Sequence, residues 1–348
     1  MGNGVDCDLK TSGTAEATAA AMNTAVLRSV LRLVDQSTRV TCCRSSKKLC
    51  ETLKEPGLWP SVIVHKPTQG AAEFIGKVQS TTVTVLATNV TEVESFFESL
   101  NAPLTRVCIA IGEPSLFPRS CQLGQAIARF QDLEELIIEC GTVRRTTGIV
   151  FDTDMPKLRV LRVTEESASR RVEVYFQAKF PDLDDVYLRV FTSDVLACMR
   201  TTMPSLCHLR YEAESDSYED ANMEGITLSA VQVHTGNSVA WTYLSSALAR
   251  ASAIRRLTLV CSDASLHIDN SLPVRDLCVR VAGKVSTSVV VTLNSARVLE
   301  SLVVLHAGGG EGWTVRFVEC GSWERFLAFL RNTEVYVGRW GAHVTIEF

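Results

Sequence analysis

The chain has 348 residues, 46% hydrophobic and 21% charged, so it carries enough apolar material for a large core and exceeds the smallest single-domain class. Lys and Arg number 35 against 39 Asp and Glu, a formal charge of -4, which gives no overall attraction for phosphate backbones. Nucleic acid is therefore not an expected partner.

Residues 1–12 read as a flexible tail. Met1, Gly2, Asn3 and Gly4 open like a myristoylation signal, yet Asp6 stands where that signal requires Ser or Thr, and Cys7 is the one nearby thiol that could add an anchor. Lipidation is not expected. The order of a secretory signal, basic then apolar then small residues, is missing as well.

Residues 13–66 form a predicted helical module. Leu27, Val30, Leu31 and Val34 fall at helical spacing, Asp35 to Thr38 make a polar break, and a second helix is expected from about Arg39 to Leu53, ahead of Glu55, Pro56, Gly57, Leu58 and Trp59. The succession Val40, Cys43, Arg44, Leu49, Pro56, Leu58, Trp59 resembles the second half of an F-box. It departs from that family in having Ala25 and Val26 where a Leu-Pro pair opens the first helix, and Ser46 in place of Trp.

The resemblance implies docking on a Skp-type adaptor and its cullin complex, with Leu27, Val30, Leu31, Val34, Val40, Cys43, Leu49, Pro56, Leu58 and Trp59 as the adaptor-binding residues. The alternative for the same helices is a cap over the open end of the repeats that follow.

Residues 67–348 are organised by repetition. Met155, Pro156, Lys157, Leu158 precede Leu161 and Val163; Phe180, Pro181, Asp182, Leu183 precede Val186 and Leu188; Met203, Pro204, Ser205, Leu206 precede Leu209 and Tyr211. The same apolar triplet recurs upstream, at Leu104, Val107, Ile109 and at Leu133, Leu136, Ile138. Downstream it recurs at Leu228, Val231, Val233, at Ile254, Leu257, Leu259, at Val274, Leu277, Val279, and at Leu299, Leu302, Val304. A further strand is expected at Val83 and Val85, and others near Val335 and Val344.

The spacing of the phrase lies inside the range of roughly 20 to 29 residues for leucine-rich repeats, and this stretch resembles that family. The resemblance implies an α/β solenoid of short parallel strands with helices outside. Helical stripes between strands fit it: Val93, Phe96, Phe97, Leu100; Trp241, Leu244, Leu248; and Trp323, Phe326, Leu327, Leu330. The Asn or Cys that the consensus sets after each strand is replaced by residues such as Gly141, Glu166, Phe191, Glu214 and Ser262.

From Gly225 to Ala249 no charged side chain occurs, but Gln232, His234, Gly236 and Asn237 interrupt the run, so a strand, a loop and a helix are expected there, not a membrane span. The sequon at Asn89, Val90, Thr91 has meaning only in a secreted chain. Twelve cysteines occur without a CxxC pair, several inside apolar runs, as Cys108, Cys140 and Cys278 do. They read as reduced, buried thiols of a cytoplasmic or nuclear protein.

In such a repeat the residues between the inward apolar ones face the concave surface, which places Glu135, Ile137, Glu139, Arg162, Asp185, Tyr187, Arg189, His208, Arg210 and Glu212 together. Arg162, Asp185, Tyr187, Arg189, His208 and Arg210 are the candidate substrate-binding residues, with Tyr187 as an aromatic anchor and the arginines as holders of acidic or phosphorylated groups. The competing reading is that these charges pair across neighbouring strands.

No motif points to an enzyme. Gly308, Gly309, Gly310, Glu311, Gly312 lacks the Lys-Ser/Thr ending of a phosphate loop, and the six histidines are dispersed without a metal-binding pattern. A cysteine hydrolase requires one activated, accessible thiol. The expected function is a non-enzymatic, cofactor-free substrate-recognition adaptor of a cullin-RING ubiquitin ligase, holding an unknown protein substrate. The alternative is a protein-binding scaffold with no ligase link.

Overall fold

A computed structural model describes residues 31, 34–45, 51–55, 58–116, 120–143, 147–166, 172–189, 201–213, 223–235, 238–261, 265–269, 272–281, 288–292, 299–306, 314–318, 323–338 and 343–346. The tail, Leu27, Val30, Leu49, Pro56 and the glycine-rich run 308–312 lie outside them.

The repeated phrase acts first as a turn. In Met155–Leu158, Phe180–Leu183 and Met203–Leu206 the leucine N–H donates to the carbonyl three residues back, at 3.3, 3.2 and 3.1 Å. Proline, with its φ fixed near the required value and no N–H to lose, takes the second position of each turn. The turn recurs without proline at Phe130–Leu133, and at Met223–Ile226, where Gly225 supplies a φ of +80°.

Each turn delivers the chain into a strand. The elements β1 (Ser61–Val64), β2 (Thr82–Asn89), β3 (Arg106–Leu116), β5 (Glu135–Cys140), β7 (Val160–Glu165), β9 (Asp185–Arg189) and β10 (His208–Ala213) pair in that order. They continue through β11 (Thr227–Thr235), β12 (Ala253–Cys261), β14 (Val274–Val281), β16 (Ser301–His306) and β18 (Glu334–Gly338) into one 12-stranded sheet. Every pairing is parallel, and the register aligns Val62, Val83, Val107, Leu136, Leu161, Val186, Leu209, Val231, Leu257, Leu277, Leu302 and Val335 in a single row. Because strand side chains alternate, fixing this apolar row on the core side sends the intervening residues to the other face.

The opposite side of the core departs from the expectation of outer helices throughout. Helices α2 (Gln69–Val78), α3 (Val90–Ser99), α4 (Leu123–Ala128), α5 (Ser238–Ala249) and α6 (Trp323–Asn332) occupy part of it, following α1 (Gln36–Ser45) of the N-terminal module. Elsewhere strands take their place: β4 (Ser120–Cys121), β6 (Thr147–Phe151) and β8 (Val172–Phe176) form a 3-stranded parallel sheet. A 4-stranded one comprises β13 (Ser265–Asp269), β15 (Ser288–Thr292), β17 (Thr314–Val318) and β19 (His343–Ile346). The cause is local sequence: Val-Glu-Val-Tyr-Phe sets Val, Val and Phe at period two, and Ser-Val-Val-Val-Thr contains a run of β-branched residues.

The helical stripes pack as their spacing predicts in α3 and α5, where Val93, Phe96, Phe97, Trp241, Leu244 and Leu248 are buried. In α6 only Phe326 of the predicted stripe is fully buried, while Trp323 and Leu330 are exposed. At the N-terminus, Gln36 to Thr38 belong to the first turn of α1 and not to a break. Asp35 caps that turn by accepting the Thr38 N–H at 2.8 Å, which gives an otherwise unpaired helix N–H a partner.

Candidate protein-binding face

The sheet face turned away from the core presents Ile137, Arg162, Tyr187, Arg210, Gln232 and Thr258 as consecutive neighbours across β5 to β12. Beside it runs a second line, Glu135, Val160, Asp185, His208, Ala230, Arg256. The fold thus brings the six predicted substrate residues onto one surface, Arg162, Tyr187 and Arg210 in register and Asp185 and His208 directly beside them. Arg189 stands at the end of β9, exposed.

Two of the six form a cross-strand pair, as in the competing reading of these charges. An Arg162 guanidinium nitrogen lies 3.8 Å from an Asp185 carboxylate oxygen, so this arginine already shares an acidic neighbour. The same cross-strand pairing occurs between Arg106 and Glu135 at 2.9 Å. Such half-exposed pairs contribute little stability and keep a sheet face soluble. His208 Nδ1 lies 3.2 Å from Cys207 Sγ, which gives the imidazole a local contact.

Arg210 is exposed, with Tyr187 on one side and Gln232 on the other. Sequence reasoning stopped at Glu212 and missed that the alternation continues: Gln232 Nε2 and His234 Nε2 are 2.8 Å apart, and Arg256 aligns with Asp276. The signal was present in the triplets of β11, β12 and β14, whose intervening residues were left unread.

The N-terminal module presents less surface than its sequence promised. Leu31, Leu58 and Trp59 are buried in the same core as β1 and β2, and Val34 packs against it. Arg39 donates to the Leu31 carbonyl at 2.9 Å and to the Leu58 carbonyl at 2.7 Å, and lies over the Trp59 ring at 5.4 Å. The Trp59 indole N–H donates to the Leu53 carbonyl at 2.5 Å. Leu31, Leu58 and Trp59, expected as adaptor contacts, are placed by the structure in the protein's own packing. Val40, on α1, is exposed, and Cys43 lies on the same helix.

A cleft of about 810 Å³, absent from the sequence reading, opens at the carboxyl ends of β1 to β3, lined by His65, Lys66, Thr68, Leu86, Thr88, Glu92 and Gly112 among others. Three of the described thiols are held away from the thiolate form. Burial pushes the Cys121 thiol up to about 12 and drives Cys140 still further upward, while burial followed by Asp184 and Asp185 raises Cys207 despite its histidine neighbour.

Among the described residues no group of three or more His, Cys, Asp or Glu is placed to hold a metal ion, and no helix is long and apolar enough to cross a membrane. No protein-family model matches the chain, and no curated protein matches it.

Proposed function

We propose that the chain is a non-enzymatic substrate-recognition adaptor of an SCF-type cullin-RING ubiquitin ligase, with a leucine-rich-repeat solenoid that captures a protein on the outward face of its 12-stranded sheet and an F-box-like module that docks on a Skp-type adaptor. The observation that carries this reading is the join between the two parts. Gln36 and Arg39 of α1 bond to Ile63, Leu31 and Leu58, and Trp59 enters the core shared with the first strands. A ligase adaptor works by holding its substrate at a fixed place relative to the transfer machinery, and such a join transmits position.

The scaffold reading without a ligase link draws on the same burial, since residues that seal the sheet end act as a cap. The two are separated by direct binding of a purified Skp-type adaptor to the full chain and to Val40→Asp, an exposed substitution that leaves the core intact. Binding by the full chain, weakened at least about tenfold in Val40→Asp, is the expected result. No binding by either overturns the ligase reading and leaves the scaffold. Deleting residues 1–66 is the wrong comparison, because it strips Leu53, Leu58 and Trp59 from the core.

A further inference from the structure

The outward face of the long sheet changes chemistry part-way along one row. Its first four positions, Ile63, Thr84, Cys108 and Ile137 on β1, β2, β3 and β5, are uncharged, and Ile63 is 43% exposed. Half-buried Leu86 and Ala110 widen the uncharged patch into the neighbouring row. Arg106 and Glu135, which border it on the other side, close on each other at 2.9 Å. The next four positions of the same row are Arg162, Tyr187, Arg210 and Gln232 on β7, β9, β10 and β11.

This second half carries a charge that the chain as a whole does not. The outward register positions of β7 to β12 hold Arg162, Arg189, Arg210 and Arg256 against Asp185 and Glu212, in a protein of net charge -4. Asp185, 3.8 Å from Arg162, offsets that arginine. Arg210 is exposed and, among the described residues, forms no ion pair. A guanidinium free of a protein acid and flanked by the half-buried Tyr187 offers a planar fork to one carboxylate, with an aromatic surface beside it. A phosphoryl group, with about two negative charges, calls for a second unshared cation, and the nearest arginine in the row already shares Asp185.

We propose, on the reading of this face as the capture surface, that its occupant is an acidic peptide segment of the partner protein, whose apolar side chains lie over Ile63, Leu86 and Ile137 and whose Asp or Glu carboxylate is held by Arg210 beside Tyr187. The sheet sets the spacing of that segment. Neighbouring strands lie about 4.8 Å apart, so Ile137 and Arg210, three strands apart in the row, are separated by about 14 Å, which an extended chain covers in about four residues. The captured segment therefore carries its first acid about four residues from its last apolar anchor. The apolar half supplies buried area and Arg210 fixes the register, since a charge-assisted fork is directional where apolar contact is not.

Fluorescence anisotropy on the full chain tests this with short labelled peptides. The first has alternating Val and Leu, a Ser-Gly-Ser spacer and then Glu and Asp; the second has Lys in place of the acids, the third phosphoserine, and each is made in both chain directions. The acidic peptide should bind in one direction, more weakly as salt rises. Arg210→Gln and Ile63→Asp, both at exposed positions, should each weaken it at least about tenfold with an unchanged circular dichroism spectrum. Arg210→Lys, which keeps the charge and loses the fork, is the second variant should Arg210→Gln lose its ordered spectrum, and an intermediate loss is expected of it. Arg331→Gln, on α6 and outside this face, should leave binding unchanged. No binding of the acidic peptide in either direction overturns the proposal, as does binding that Arg210→Gln or Ile63→Asp leaves intact, or a lysine peptide bound equally well. Tighter binding of the phosphoserine peptide overturns the assignment to a carboxylate. Docking on a Skp-type adaptor is read separately through Val40 of α1, so loss of peptide binding with adaptor binding retained strikes this inference alone.

Discussion

Arg39 is 8% exposed and joins two pieces of chain that lie on either side of it in the sequence: the Leu31 carbonyl, and the Leu58 carbonyl with the adjoining Trp59 ring. Two charge-assisted bonds to otherwise buried carbonyls, plus a cation over an aromatic face, make it the tie of the N-terminal join. Replacing it with methionine keeps the stem and removes the donors, leaving two acceptors without their partner. The expected loss is about 3 kcal/mol, read as a lower urea midpoint. Lysine should recover only part, since a single ammonium cannot reproduce the planar fork that reaches Leu31 and Leu58 together. Equal stability of wild type and Arg39→Met contradicts the role. Its basic residue was visible in the sequence, but a partner 19 residues away was not, because no periodicity reports a long-range side-chain bond.

At the scale of elements, α1 depends on the cap that Asp35 provides. The Thr38 backbone N–H first, then the Ser37 hydroxyl, hold the Asp35 carboxyl below its ordinary value. A carboxyl lowered in the folded state stabilises fully above the ordinary aspartate range and loses that contribution as pH falls through the lowered value. Wild type should therefore melt above Asp35→Asn at neutral pH, and the two midpoints should converge as pH drops toward ~3. Parallel curves over the whole range would show that the cap contributes nothing.

The strands were the most legible elements. The turn phrase and the apolar alternation identified β3, β5, β7, β9 to β12, β14 and β16, and Leu136, Leu161 and Val186 align in the register their spacing implies. The back of the core was less legible, because β6 and β8 follow no shared phrase, and the helical spacing of Val93 to Leu100, Trp241 to Leu248 and Trp323 to Leu330 does not extend to them. The candidate face was legible as a set of neighbours, since alternation fixes which residues share a surface. Its ion pairs were not, since nothing in the chain order distinguishes an Arg162 aimed at Asp185 from one aimed at solvent.

For the whole molecule, each main strand pairs only with the strands of the preceding and following turns, so stability should be a sum of nearest-neighbour contributions and not a single global quantity. Leu161 sits fully buried in β7 between Leu136 and Val186, whereas Val335 in β18 is half-buried and, among the described residues, aligns with Leu302 on one side only. Leu161→Ala opens a cavity that the turns on both sides must accommodate, with an expected loss of about 3 kcal/mol, while Val335→Ala should lose about 1. The distribution of the effect is the sharper test. Amide exchange followed by mass spectrometry should show Leu161→Ala lowering protection in β5 and β9 as well as β7, with the segments on either side unfolding in separate urea transitions. Val335→Ala should affect only β16 and β18. A uniform loss of protection in either variant would mean that the chain unfolds as one cooperative unit, and that the pairing order of the sheet does not govern how stability is distributed along it.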